Sequence, residues 1–532
     1  MLPAPEEISS RPRRRAGRIV LGVAALALIG GGAAAAVVLT QSKGTTTPTS
    51  EGSSSQNKPP SSLIGGAAAT TLLPSGGGNL RPSTTPVIKG PTKSNPETDP
   101  VLVTMLAIGD WGSTNGKGDD GTNPGSCCSR DKVSEEVKTN EPRYKVDFRS
   151  QQHVAKLLAQ SALELKPKAI LGHGDNIYWN GVGKDDVKAR MDETFDKVYS
   201  DVALLNVPWY NVAGNHDVGG SVYLCGDRDG AFRECKSVAE MLDALDSKFN
   251  LQRDYKSSHN NRWIMEGHYY VKTVKQQGVT IDIFNLDTNE ASAHGATQVC
   301  CQCFSYRGND KSVKCNEIDK GSPFCAGGNM DMYNACMNRI QSWATESYDG
   351  VMRDLALSKA DFKIINTHYS PHYHMSRPLA EKWFNVTKPP PPTAAAAVKG
   401  GVHAWFNGHT HGFNHDVTTW NTHFFQNGAG GGIVSQSGAQ ADPNAAKVHP
   451  EIDTVWVAAG QPYGFMEVSA SKEWLKVQFV SFDKAWVFGG HKVADTVAGG
   501  LARGHCWYIH KSLDGPGVPC ASSNDGVVGM PT

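Results

Sequence analysis

The sequence carries no net charge: 52 basic residues are matched by 52 acidic ones over 532 positions. A chain without a basic excess lacks the electrostatic footprint of a nucleic-acid binder, so no such partner is expected. The glycine-rich run Gly428-Ala429-Gly430-Gly431-Gly432 is not followed by a Lys-Ser/Thr pair, which argues against a P-loop and leaves a tight loop near the site. Cys300 to Cys303 is the single Cys-x-x-Cys spacing of its region, so a zinc knuckle there, the sharper alternative to disulfides, has no second half. Asn385-Val386-Thr387 is the only N-glycosylation sequon, and it stands beside the extended run Pro389 to Pro392.

Charge is also missing from Ile19 to Thr40, a stretch of mostly Ala, Val, Leu and Gly that is long enough for the roughly 20 residues crossing a bilayer. Arg11, Arg13, Arg14, Arg15 and Arg18 precede it, which keeps residues 1–18 cytoplasmic and sends the remainder outside or into a lumen. Residues 19–40 are therefore expected to be a transmembrane signal anchor or, if the run Gly30 to Ala36 holds a cleavage site, a signal peptide that releases the protein. Residues 41–98 have too little apolar content to build a core and read as a disordered Ser/Thr/Pro/Gly-rich stalk open to O-glycosylation. All 12 cysteines lie beyond it, on the oxidising side, where disulfides are the default. Cys225 with Cys235 and Cys506 with Cys520 are the local pairings; Cys300, Cys301, Cys303, Cys315, Cys325 and Cys336 mark a cysteine-rich insertion at 296–338. It interrupts a domain at 99–490, and 491–532 reads as a C-terminal tail.

Five short motifs carry the chemistry: Gly109-Asp110-Trp111-Gly112, Gly174-Asp175-Asn176-Ile177-Tyr178, Gly214-Asn215-His216-Asp217, Ile365-Asn366-Thr367-His368 and Gly408-His409-Thr410-His411. Alone, each is more often turn chemistry or a polar strand end. Together they supply carboxylates for highly charged cations, with Asp175 the candidate bridge between two ions, and the imidazoles of His368, His409 and His411 that suit borderline transition metals. In a strand the rings of His409 and His411 would point the same way, so a turn after Gly408 is needed to separate them.

The set resembles the calcineurin-like metallophosphoesterase superfamily, and Tyr178, following Asp175, is similar to the purple acid phosphatases. The likeness is greatest to the tartrate-resistant, type 5 branch, through Asn180-Gly181-Val182, Glu193-Thr194-Phe195, Val207-Pro208-Trp209-Tyr210 and Gly464-Phe465-Met466-Glu467-Val468. The resemblance implies a four-layer α/β/β/α sandwich. It also implies Fe(III) held by Asp110, Asp175, Tyr178 and His411, and a second divalent ion (iron, zinc or manganese) held by Asp175, Asn215, His368 and His409. The implied activity is acid hydrolysis of phosphate monoesters by a metal-bound hydroxide. His216 would bind phosphate or protonate the leaving oxygen, and Asp217 would orient His216 or its loop.

Relatives of that branch place a further substrate-side histidine beyond the ligand His368, where this chain has Arg377. His372 or His374 is the candidate substitute, and Arg377 itself could pair with phosphate. His173, His403, His415 and His423 read as structural. A phosphodiesterase or nucleotide pyrophosphatase on the same scaffold would share every ligand; a surface adhesion or receptor protein is the reading from another class. Apolar runs at 101–108, 168–171 and 362–366 each end just before a motif, placing ligands after strand C-termini. Val154, Leu157, Leu158, Leu163 and Leu165 fall at helical spacing closed by Pro167, and 269–274, 280–286, 423–427 and 474–482 are strand-like.

Overall fold

The computed structural model describes residues 93–112, 146, 149–389, 401–439, 449–488 and 498–528, all within the compact unit Ile88–Thr532. The basic N-terminus, the candidate span, almost all of the stalk, and Cys127 and Cys128 lie outside them. No helix among the described residues is long and apolar enough to cross a membrane.

Two mixed sheets form the frame. One has eight strands in the order Val518–Pro519, Leu501–His510, Trp474–Phe482, Phe465–Ala470, Val103–Ile108, Ile170–Gly172, Trp209–Asn211 and Trp263–Ile264. The other has seven, in the order Ile452–Val457, Phe413–Thr418, His423–Asn427, Ala404–Asn407, Phe362–Asn366, Val279–Leu286 and Tyr269–Gln276. Alternation along each strand decides what it buries. Met105 and Ala107 join Leu171, Ile281, Ile364, Phe406 and Phe425 in a core shared by the two sheets, while Leu106 and Ile108 pack with Val154, Leu157 and Leu158 of helix Ser150–Leu165. Ile365 and Trp405 pack with Val351, Leu355, Trp383 and Phe384 of helices Met330–Leu357 and Arg377–Thr387. A strand buried on both sides reads as a continuous apolar run, which is why Val103–Ile108 is unbroken by polar alternation. The mixed α/β sheets are consistent with the fold that the resemblance implies.

Three local readings change. Leu163 is 69% exposed; the buried face of its helix is completed by Ala159 and Ala162, and the helix ends at left-handed Lys166, whose amide donates to Ala162. The segment read as a tail supplies Leu501–His510, which pairs antiparallel with Trp474–Phe482. The chain joins the unit before residue 99, because Trp474 Nε1 donates to the Ser94 carbonyl at 3.1 Å and the Ser94 amide donates to Glu473 at 3.0 Å.

Disulfides join Cys225 to Cys235 and Cys506 to Cys520, and within the insertion Cys300 to Cys336, Cys301 to Cys325 and Cys303 to Cys315. No free cysteine is left among the described residues, which rules out the zinc knuckle.

Candidate metal centre

Each of the five motifs follows a strand C-terminus: Asp110 after Val103–Ile108, Asp175 after Ile170–Gly172, Asn215 after Trp209–Asn211, His368 after Phe362–Asn366, and His409 and His411 after Ala404–Asn407. Asp110, Asp175 and His409 leave those strands through left-handed backbone, with φ of 52°, 51° and 74°. Non-glycine residues pay for that conformation with strain, which persists where the surroundings over-determine it and clusters at functional sites. Glycines make the room. A Cβ on Gly214 would lie 2.2 Å from Asp175 Oδ1, and one on Gly408 2.2 Å from Asp110 Oδ2.

The donors gather in two groups. In the first, Tyr178 donates its hydroxyl to Asp110 Oδ1 at 3.0 Å and lies 3.1 Å from His411 Nε2, while His411 Nε2 is 3.5 Å from Asp110 Oδ1. In the second, Asn215 Oδ1 is 3.2 Å from both His368 Nε2 and His409 Nδ1, and His368 Nε2 is 3.5 Å from Asp175 Oδ1. Ligand atoms of Asp110, Asp175 and His368 lie within 4.8 Å of one another, so the carboxylates link the groups. The turn at His409 sends the two rings of the His-x-His pair to different groups.

Several hydrogen bonds fix this arrangement. His368 Nδ1 donates to the His173 carbonyl at 2.7 Å, which leaves Nε2 with its lone pair toward Asn215 and Asp175. The His409 amide donates to Asp110 Oδ2 at 2.8 Å, and the His216 amide to Asp175 Oδ1 at 3.0 Å. Asp217 accepts from the amides of Gly214, Asn176 and Ile177 at 2.8, 2.9 and 3.1 Å, so it ties the Asp175 and Asn215 loops together and leaves the His216 ring to the Trp179 carbonyl. Sequence reasoning missed Tyr369, which donates to Asn215 Oδ1 at 3.1 Å, and Asn366, which meets His173 Nδ1 at 2.6 Å. The signal for Tyr369 was adjacency to His368; Asn366 stood inside the His368 motif without an assigned role.

This donor set fits a metal. Acceptor atoms of Asp175, Asn215 and His368 face one another with no proton to share, and Asp175 Oδ2 is buried without a hydrogen-bond partner. Burial and the neighbouring Asp175 raise the Asp110 carboxyl well above its usual range; burial opposes ionisation of Asp175 too, but His368 and His216 lower it overall. Burial pushes His368 down, His409 well below the usual imidazole value and His411 to about 3, the neutral state a ligand needs. Burial and the two carboxylates push Tyr178 up, so a phenolate there requires a compensating cation.

The remaining candidates divide. His216 is half-buried at the Tyr178 end, its ring 4.6 Å from the tyrosine ring. His374 lies beside His409, with ring centroids 4.8 Å apart, but Nδ1 accepts from the Ser370 amide and Nε2 donates to Thr410 Oγ1, each at 3.0 Å. His372 is bonded to Ser370 Oγ at 2.9 Å and Asp416 Oδ2 at 3.2 Å and packs on Phe424. Both rings have their nitrogens engaged by the protein, because Thr410 and Asp416 arrive from the strand region beyond His409. Arg377 is an exposed residue that bonds Glu381 one turn along its helix.

A calcineurin-like phosphoesterase family model matches residues 103–413, more than half of the chain. Tartrate-resistant acid phosphatase type 5 of Mus musculus is 46% identical over 136 residues, 25% of this chain and 33% of the relative. The matched segment thus spans about a third of that relative's length. Among solved structures, the GAP50 anchor of the Plasmodium inner membrane complex aligns with a TM-score of 0.41 at 13% identity, covering 76% of this chain and 90% of GAP50. The yellow lupin purple acid phosphatase aligns at 0.38 and 15%, covering 79% and 57%. Neither structural likeness is deep enough to carry an inference. On the family match, and with its motif residues gathered in one cluster, the chain belongs to the calcineurin-like phosphoesterase family.

Proposed function

We propose that this protein is an acid phosphatase that hydrolyses phosphate monoesters at a two-metal centre. The observation that carries the reading is that two groups of donors, Asp110, Tyr178 and His411 in one and Asn215, His368 and His409 in the other, meet at the buried carboxylate of Asp175, which has an oxygen without a partner. The resemblance to the type 5 acid phosphatases supports the specificity. A binuclear centre is implied by the family, and here Asp110, Asp175, Tyr178 and His411 would hold trivalent iron, with Asp175, Asn215, His368 and His409 holding a divalent ion. Bound there, the pair would neutralise phosphoryl oxygens and supply an acidified water.

The protein's own groups do the rest. His368 presents Nε2 because His173 holds its other nitrogen. Asp217 fixes the two loops that carry Asp175 and Asn215, and the fixed loops reduce the reorganisation needed during reaction. His216, its Nδ1 held by the Trp179 carbonyl, is positioned to donate to the phosphoryl group from the Tyr178 end. The five disulfides support an oxidising compartment, and we place the catalytic unit on the extracytoplasmic side of a membrane tethered by residues 19–40.

The test is hydrolysis of an aryl phosphate monoester and the matching diester by metal-loaded protein from acid to neutral pH, with Asp175→Asn alongside. Monoester turnover in acid is expected, and Asp175→Asn should lose far more than the roughly 10–100-fold that removing an outer partner of a ligand costs. Preference for the diester would move the protein to the phosphodiesterases. A folded, metal-loaded protein that cleaves neither would end the enzymatic reading.

A further inference from the structure

The insertion at 296–338 and the loop leading into it are unused by the chemistry above, yet they reach the metal centre. The link is His294. It is exposed, it has a left-handed backbone with φ of 56°, and its ring centroid is 5.8 Å from that of His409. Tyr369, whose hydroxyl bonds Asn215, also lies 3.4 Å from the His294 carbonyl. The loop is fixed on both sides. Ala293 donates its amide to the His374 carbonyl at 2.9 Å, and Ala296 donates to the Asn289 carbonyl at 2.8 Å. Gly295 permits the closure, since a Cβ there would lie 2.2 Å from the Ala291 carbonyl oxygen. Directly after it, helix Ala296–Cys301 is tied by Cys300 to Cys336 on the long helix Met330–Leu357 and by Cys301 to Cys325. A loop tip would ordinarily be among the most mobile parts of a protein. This one is held at its base by disulfides and at its tip by His374 and Tyr369.

We propose that His294 is a second imidazole that contacts the phosphate ester, approaching from the His409 end while His216 approaches from the Tyr178 end, and that the disulfide-tied insertion is its mount. The proposal deepens the phosphatase reading and rests on it. It also accounts for His372 and His374: the substrate-side role expected of one of them passes to a histidine from another loop, since both of theirs are committed to Ser370, Thr410 and Asp416.

The experiment compares wild type, His294→Ala and His294→Gln in the metal-loaded full chain, measuring equilibrium binding of inorganic phosphate, metal content, and hydrolysis of aryl monoesters with good and poor leaving groups. His294→Ala should bind phosphate about tenfold more weakly, the effect of one hydrogen bond to a charged group. Its kcat/KM should fall about a hundredfold, as for loss of a positioned donor. His294→Gln, which keeps an N–H, should recover part of both, and metal content should not change. A loss that grows with leaving-group basicity places the contact on the leaving oxygen; a uniform loss places it on the other phosphoryl oxygens. An alanine variant that binds and hydrolyses like wild type overturns the proposal, as does one that loses metal or fails to fold. Wild type that binds phosphate without cleaving any ester would sink the phosphatase reading alone, leaving His294 to be judged by binding.

Discussion

Among the described residues, two clusters of histidines are built on opposite plans. In the metal centre His368, His409 and His411 direct nitrogens at carboxylate, amide and phenol groups, so that acceptors face acceptors. In the second, the rings form a chain that donates in one direction. His505 Nδ1 donates to Asp525 Oδ1 at 2.6 Å, His415 Nδ1 to His505 Nε2 at 2.9 Å, and His423 Nδ1 to His415 Nε2 at 2.8 Å. Phe425 stacks on His415, and Trp456 on His505. Burial lowers the histidines of both clusters, so neither burial nor histidine number distinguishes them. The distinguishing features are the direction of the lone pairs, an unpartnered carboxylate oxygen, and left-handed backbone at the residues that carry the donors.

The comparison breaks most sharply at Gly214. Gly214→Ala would thrust a methyl group to 2.2 Å from Asp175 Oδ1 and 2.8 Å from His368 Cε1 while leaving the second cluster untouched. Hydrolysis should fall by about a hundredfold with reduced metal content, a displaced ligand costing at least as much as a lost outer partner. Metal analysis and kcat/KM measure it. Full metal occupancy with wild-type turnover would show that the close packing of this loop is incidental.

His415→Phe should do the reverse. It leaves His423 Nδ1–H without an acceptor and His505 Nε2 without a donor, a loss of about 2–4 kcal/mol of stability near neutral pH, with turnover retained. Its acid dependence gives a second reading. A histidine held neutral in the fold binds protons more readily once unfolded, so stability is fullest above the ordinary value of 6.5 and is lost as pH falls toward the folded-state values, about 4 for His403 and about 3 for His423. With His415 gone one such group is removed, and the urea midpoint should fall less steeply below pH 6.5 than in wild type. A variant with unchanged steepness would mean that His415 is not held neutral by the fold.

The difference between the clusters also sets what the sequence reveals. Asp110, Asp175, Tyr178, Asn215, His368, His409 and His411 are legible because each sits in a short motif after an apolar run, and the fold brings strand ends together. The sheets are legible in the same way, as largely apolar runs such as 103–108, where Thr104 is the one polar residue. The mount of His294 is not, because six cysteines allow 15 pairings and spacing does not choose among them. Nor is the commitment of His372 and His374, whose partners Asp416 and Thr410 are distant in sequence. Leu501–His510 is hidden too: Gly504, His505 and Arg503 interrupt its apolar pattern, and it becomes a strand by pairing with Trp474–Phe482.

The smallest effect should come from the open end of the histidine chain. Asp525 is 56% exposed, and Asp525→Asn keeps an oxygen to accept from His505 Nδ1. The polarity of the chain then survives, since His505 still offers its Nε2 lone pair to His415. Stability should shift by no more than about 0.5 kcal/mol, the range of an ordinary surface substitution. A carboxylate required for its charge would behave otherwise, as is expected of Asp175 under the proposed function, where an amide would not supply the charge that balances a cation. A loss of several times that size in urea titrations would therefore mean that charge, and not hydrogen-bond direction, holds the second cluster, and the contrast between the two would fail.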